Sequence, residues 1–233
     1  MFSGEWISFV NAFLRLVRLN RFLWISETFM FINPPLPSQN ESFPSKENHF
    51  EIVRMNDPAV VPELVQCLDG TKDYNYTPLQ LKDKFEIMFQ EGSCVWVAMD
   101  TVQGGRIAGL LWITSHRYPI QERIQLLLPN DISFQEFVFV HEDYRRHGLY
   151  SRILQTAHRQ SPTMAFGSII SSFNVPSIQA HQKNGFQRHG RIIYFFLFGL
   201  MLATFRFGNV RKRIFRIKPN ELYQIDISKG NWQ

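Results

Sequence analysis

A chain of 233 residues with 45% hydrophobic and 19% charged residues can fill one core and carry extensions, and nothing in its composition suggests two equal domains. Its formal charge of +5 favours an anionic partner, namely a phosphate-bearing cofactor, an acidic membrane surface or nucleic acid. Two cysteines, Cys67 and Cys94, are too few for a disulfide framework and lack metal-ligand spacing, so no metal and a reducing, cytoplasmic compartment are expected.

Residues 6 to 31 place Trp6, Phe9, Val10, Phe13, Leu14, Val17, Leu19 and Leu23 at mostly helical spacing, with Arg15, Arg18 and Arg21 between them. This predicts a basic amphipathic helix, docked on the domain or lying peripherally on the inner face of a membrane. No apolar run reaches the ~20 residues of a bilayer crossing. Glu5, Asn11, Arg15 and Arg18 interrupt any leader-like stretch, so neither secretion nor membrane spanning is expected. Asn33-Pro34-Pro35-Leu36-Pro37-Ser38 and the polar stretch to Asn48 read as a linker. The domain division expected is therefore 1–32 as a helical extension, 33–47 as linker, 48–200 as the main domain and 201–233 as an extension completing or flanking its sheet.

Phe50 to Met55 alternates as a strand. Asn56-Asp57-Pro58 opens a helix to about Leu68, and Thr77-Pro78 opens another through Phe89. Ser93–Met99 and Arg106–Thr114 read as a hairpin across Gly104-Gly105. A strand over Asp131–Val140, a helix over Gly148–Arg159, a strand over Met164–Phe173 and a helix over Val175–Asn184 follow. Arg191 to Phe207 suggests a final pair of strands. The alternation predicts an α/β (α+β) fold, a mixed central sheet with helices on both faces.

Phe137-Val138-Phe139-Val140-His141-Glu142-Asp143-Tyr144-Arg145-Arg146-His147-Gly148-Leu149-Tyr150-Ser151 runs from a hydrophobic strand through a basic turn into a helix. A helix start offers backbone donors and the positive end of the dipole, glycine permits special backbone angles, and arginines add charge. Such a segment suits pyrophosphate, although a basic turn before an ordinary surface helix has the same composition. A second segment, Asn174-Val175-Pro176-Ser177-Ile178-Gln179-Ala180-His181-Gln182-Lys183-Asn184-Gly185-Phe186, has the residues of a well-capped helix, Asn174 at its start and Gly185 at its end.

In order and spacing these two segments resemble the acyl-CoA motifs of the GNAT N-acetyltransferases, Arg/Gln-x-x-Gly-x-Gly/Ala at a helix start and a later Asn-x-x-Ala/Ser, helix, Gly-Phe. Arg145 and Gly148 match, whereas Tyr150 stands in place of the last small residue. The resemblance implies acetyl-CoA or another acyl-CoA as cosubstrate, with the pantetheine arm on the backbone at Val138 and Val140. It implies phosphate donors from Arg145, Arg146, His147, Gly148, Leu149, Tyr150 and Ser151, and a contact from Asn174. It also implies direct attack of an amine on the thioester. His181 falls where the family often has a Tyr acid, and can be an acid or a bystander. Glu136 is the carboxylate chosen as base, because strand alternation places it with Val138 and Val140.

The resemblance is nearest to members that modify sugars or cell-surface polysaccharide precursors, so a small-molecule amine or amino-sugar acceptor is expected, with a homodimer as a further expectation. The alternative is a catalytically degenerate module that holds acyl-CoA without turnover. Nucleic-acid binding is not expected, since the basic residues do not line a recognition helix with interleaved aromatics. The apolar run after Arg191 and the cluster Arg211, Lys212, Arg213 and Arg216 leave membrane contact as a further expectation.

Overall fold

A computed structural model describes residues 10–12, 23–35, 49–68, 76–121, 124–197, 200–208, 210–217 and 222–227. The chain forms two compact units, each assembled from separated stretches. One comprises residues 35–115 and 134–164; the other comprises 1–34, 116–133 and 165–233.

The unit of residues 35–115 and 134–164 holds β2 (Phe50–Met55), β3 (Cys94–Asp100), β4 (Arg106–Thr114) and the body of β7 (Ile132–Val140), antiparallel in the order β7-β4-β3-β2. The helices are α1 (Val61–Leu68), α2 (Pro78–Gln90) and α3 (Leu149–Gln160). Asp57 caps the 3-10 turn before α1 by accepting from the Ala59 amide at 2.8 Å. Thr77 and Gln80 form a reciprocal capping box at the start of α2, with Pro78 at its first position.

Period-two alternation divides this sheet into two faces. Leu110, Trp112, Phe137 and Phe139 point to the side where α1 and α2 supply Leu64, Leu81, Phe85 and Met88. Phe85 stacks on Trp112 with ring centroids 5.0 Å apart and meets Phe137 edge-on at 5.5 Å. Burying one such ring contributes roughly 1.5–3 kcal/mol. On the other side a Cβ added at Gly109 would meet the Phe139 carbonyl oxygen at 3.0 Å and the side chains of Ile153 and Leu149 at 3.4 Å. The glycine lets α3 lie close to the strands.

The other unit orders its five long strands β11 (Val210–Ile217), β10 (Leu200–Phe207), β9 (Gln187–Leu197), β1 (Leu23–Asn33) and β8 (Ala165–Ser171), all antiparallel. The helix α4 (Val175–Lys183) packs on one face, the His181 ring lying 6.4 Å from that of Phe31, and Asn33 Nδ2 donates to the Asn184 carbonyl at 2.9 Å. A three-stranded sheet of β5 (Arg117–Gln121), β6 (Ile124–Leu127) and β12 (Tyr223–Asp226) adds a parallel β12–β6 pair.

The α/β class expected from the alternation of elements holds, with helices on both faces in the first unit. The helical reading of residues 6 to 31 does not hold over its last third: residues 23 to 33 form a strand inserted between β9 and β8. Trp24, Ile25, Thr28, Phe29, Phe31 and Ile32 favour the pleated conformation, and Thr28, Met30 and Ile32 find partners in β8. The remainder of that predicted helix lies outside the described residues except for 10–12, which are helical. The linker reading fails at Asn33, the last residue of β1, and beyond Pro35 it also lies outside the described residues. The expected final pair of strands is present as β9 and β10, and β11 and β12 extend the chain's strands beyond it.

Candidate active site

The strand β7, the basic turn and α3 follow one another as the sequence reading expected, and they carry the residues it assigned to phosphate. Glu142 to Tyr144 form a 3-10 turn, and Tyr144 is buried there, its hydroxyl donating to Asp100 Oδ2 at 2.9 Å and to Gln103 Oε1 at 3.1 Å. Burial alone would push the Asp100 carboxyl up, but that hydroxyl and the amides of Gln103 and Val102 hold it below its ordinary value. An ionised acid therefore anchors the turn. Arg145 Nε donates to the Val140 carbonyl at 3.0 Å, so this arginine braces the loop against the end of its own strand.

Arg146 and Gly148 both have left-handed backbone, φ 69° and 74°. For Arg146 this conformation is unfavourable, and the pair curls the turn so that it leads into α3. Gly148 is the N-cap and supplies no side-chain hydrogen bond. Arg145, Arg146, His147 and Gly148 are exposed, whereas Leu149 is buried in the core. Among the expected donors, then, Leu149 can offer only its backbone. A helix start without a side-chain cap, preceded by two left-handed residues and flanked by two arginines, is a strong arrangement for an anion.

Along β7, Trp112 pairs with Phe137 but Ile113 pairs with Gln135, so Glu136 is the extra residue of a β-bulge. The bulge overturns the simple alternation used to place Glu136 with Val138 and Val140. Gln135 now reaches α3, accepting from the Tyr150 hydroxyl at 2.9 Å. Glu136 reaches Lys84 of α2 at 3.9 Å. Burial raises the Glu136 pKa, and Lys84 opposes that rise in part. Tyr150 is mostly buried and its pKa too is raised by burial, so the large residue in the motif's small position turns inward toward β7.

Val138 and Val140 remain on one face, alternating with buried Phe137 and Phe139. Their ladder partners are Leu111 and Gly109.

In the unit of residues 1–34, 116–133 and 165–233, Asn174 caps α4, its side chain accepting from the Ser177 amide at 3.1 Å. His181 is 3% exposed. Its Nδ1 lies 2.8 Å from the Ser177 carbonyl, to which it donates, and its ring meets Phe186 edge-on at 4.9 Å. Burial lowers its pKa to about 4, against the opposing effect of the Ser177 backbone. At neutral pH it is an uncharged imidazole packed under its helix.

Residues 61–186 match the acetyltransferase (GNAT) family. The chain belongs to the GNAT acetyltransferase family.

Solved structures agree at the level of fold. A conserved protein of unknown function from Staphylococcus epidermidis superposes with a TM-score of 0.53 at 9% identity, covering 78% of this chain and 64% of that one. A GCN5-related N-acetyltransferase from Sphaerobacter thermophilus gives 0.52 at 12%, covering 94% and 59%. A tandem GNAT protein from the clavulanic acid biosynthesis pathway gives 0.51 at 12%, covering 73% and 53%. This chain therefore spans between about half and two thirds of the length of these three proteins. No curated protein matches it in sequence.

The structure gives Tyr150 and His181 each a packing partner. Sequence reasoning missed three residues around the cradle. Gln135 receives Tyr150, and its only signal was a polar residue inside an apolar strand. Asp100 and Tyr144 form the anchor beneath the turn, a pairing across 44 positions that no local pattern announces.

Proposed function

We propose that this GNAT protein transfers an acyl group, acetyl in the first instance, from acyl-CoA to an amine of a small molecule or an amino sugar. The observation that carries the proposal is the left-handed pair Arg146 and Gly148 at the uncapped start of α3. Acyl-CoA is bound by its pyrophosphate at the backbone of this turn, with Arg146, His147, Ser151 and the helix dipole contributing and Arg145 holding the loop. The backbone at Val138 and Val140 is assigned to the pantetheine arm.

Glu136 is assigned as the general base. A carboxylate with its pKa raised by burial is a better proton acceptor than a solvated one. The amine nitrogen bonds to the thioester carbon, the C–S bond breaks, the amine proton passes to Glu136 directly or through one water, and the leaving thiolate takes a proton from solvent. We assign His181 to holding α4 on its sheet, because a buried imidazole of pKa about 4 lacks the second ring proton at neutral pH and its one N–H is taken by the Ser177 carbonyl.

That same packing of His181 and the inward turn of Tyr150 favour a second reading, an acyl-CoA-binding module without turnover. Acetyl-CoA titrated into the protein should raise its thermal midpoint; the combined Arg146→Ala and Gly148→Glu variant, still folded, should show no rise. Thiol release measured against a panel of amines and amino sugars then separates the readings. Acceptor-dependent release supports the enzyme, binding without release supports the module, and a folded parent that shows no acetyl-CoA shift refutes both.

A further inference from the structure

The amine beside the candidate base is the protein's own. Lys84 of α2 places its Nζ 3.9 Å from Glu136 Oε1, beyond hydrogen-bond length, and 5.7 Å from the centroid of the Tyr76 ring. The Glu136 side chain is only 8% exposed, whereas that of Lys84 is 30% exposed and Tyr76 is open to solvent. An ammonium between a carboxylate and an aromatic face stands where an amine acceptor would be held and deprotonated. Lys82, two residues away, is disposed differently: its side chain is 51% exposed and pairs with Glu86 of the same helix at 3.0 Å.

Lysine amines are nucleophiles once a proton is removed, so the contact joins a nucleophile to a base. Under the acyl-transfer reading, on which this inference rests, the pantetheine arm runs from the α3 turn back along β7 past Val140 and Val138. Four residues of extended strand, about 13 Å, separate Val140 from Glu136, and the thioester end is delivered toward Lys84. We propose that Lys84 is a self-acylation site, modified by the acyl-CoA bound to the same chain. One proton of the Lys84 ammonium passes to the Glu136 carboxylate, and the freed nitrogen bonds to the thioester carbon. The C–S bond breaks, the nitrogen sheds a second proton to solvent, and the leaving thiolate takes one up.

The product carries an uncharged amide in place of the ammonium. Burial raises the Glu136 pKa, Lys84 opposes that rise and Glu91 adds to it. With the Lys84 charge gone the raising effects are unopposed by it, and a smaller share of Glu136 is ionised at a given pH. Self-acylation therefore restrains the base that brought it about.

The test incubates the full chain with acetyl-CoA, follows acetylation lysine by lysine with peptide mass spectrometry, and measures the acetyl-CoA thermal shift alongside. General-base assistance contributes about a hundredfold or more, so Lys84 should be acetylated about a hundredfold faster than exposed Lys82 and Lys183, at a rate independent of protein concentration. Glu136→Gln, its folding checked by its thermal midpoint, should still bind acetyl-CoA and lose that excess. An acetyl group already on Lys84 of the purified parent and missing from purified Glu136→Gln supports the inference equally. Three results overturn it while leaving acyl-CoA binding intact: Lys84 modified no faster than Lys82 and Lys183, an excess that survives in Glu136→Gln, or a rate that rises with protein concentration. A folded parent without an acetyl-CoA shift overturns the acyl-transfer reading and this inference together.

Discussion

Lowering the pH should destabilise this protein through His181, and the size of the effect follows from where that ring sits. Packed against Phe31 and Phe186 and donating to the Ser177 carbonyl, the imidazole has a pKa of about 4 against an ordinary 6.5. Between those values the unfolded chain binds a proton that the folded chain refuses, so stability falls as pH falls through 6.5 and the loss levels off below about 4. The full gap corresponds to about 3 kcal/mol, of which about 2 kcal/mol is lost between about pH 7.5 and about pH 5. Urea unfolding of the parent and of His181→Gln at the two pH values isolates this contribution. Buried His158, its pKa also lowered to about 4, titrates in both proteins and cancels in the difference. The parent should lose about 2 kcal/mol more than the variant. Acyl transfer by the variant should stay within about tenfold of the parent, where loss of a true general acid would remove roughly a hundredfold or more. Equal acid lability in the two proteins, or a collapse in kcat in a folded variant, would refute the assignment of His181 as a packing residue.

Glu136→Gln should lower kcat by roughly a hundredfold or more while leaving acetyl-CoA binding unchanged. Since the ionised carboxylate is the active form, the parent's rate should fall as pH drops through the raised Glu136 pKa, and Lys84→Met, by removing the opposing charge, should shift that fall to higher pH. Gly190→Ala should destabilise the sheet of β9 and β10, because the new Cβ would meet the Arg206 carbonyl oxygen and Phe207 Cδ2, each at 2.8 Å. Overpacking of about 1–3 kcal/mol, less up to about 1 kcal/mol gained by stiffening the unfolded chain, predicts a fall of several degrees in the thermal midpoint; an unchanged midpoint would show that the strands can separate there. Tyr144→Phe removes the hydroxyl that holds the Asp100 carboxyl low, and should cost about 1–3 kcal/mol by leaving the buried Asp100 carboxylate short of a donor, with weaker acetyl-CoA binding read by titration.

What the sequence made legible is what local signals can specify. Thr77-Pro78 fixes the start of α2, two glycines fix the β3–β4 turn, and Asn174 with Gly185 brackets α4; each is read from neighbours a few residues apart and each lies within a residue or so of its expected place. Residues 23–33 failed because a run of apolar residues fits a helical stripe or a strand equally well until partners are known, and the partners here are more than 130 residues away. The small β12-β6-β5 sheet failed for the same reason, with β12 pairing across about a hundred positions. At the site, the turn and helix start from Arg145 to Ser151 are readable because both are local. The positions of Glu136 and Gln135 are not, since a bulge changes the face of a residue without changing any letter of the sequence.

The bulge and the tyrosine belong to one arrangement. A strand without the extra residue would keep Gln135 on the face of Phe137, among Phe85 and Trp112, where an amide side chain would be costly to bury. Adding Glu136 turns Gln135 toward α3, where the Tyr150 hydroxyl meets it. The large residue at the motif's small position is thus accommodated by the same irregularity that sends the candidate base toward Lys84. Removing the tyrosine hydroxyl would leave Gln135 with one donor fewer, and the register of β7 against β4 is what both the Glu136 carboxylate and the backbone at Val138 and Val140 depend on for their positions. The tyrosine at the motif's small position therefore bears on the candidate base as much as on the first turn of α3, in which it stands.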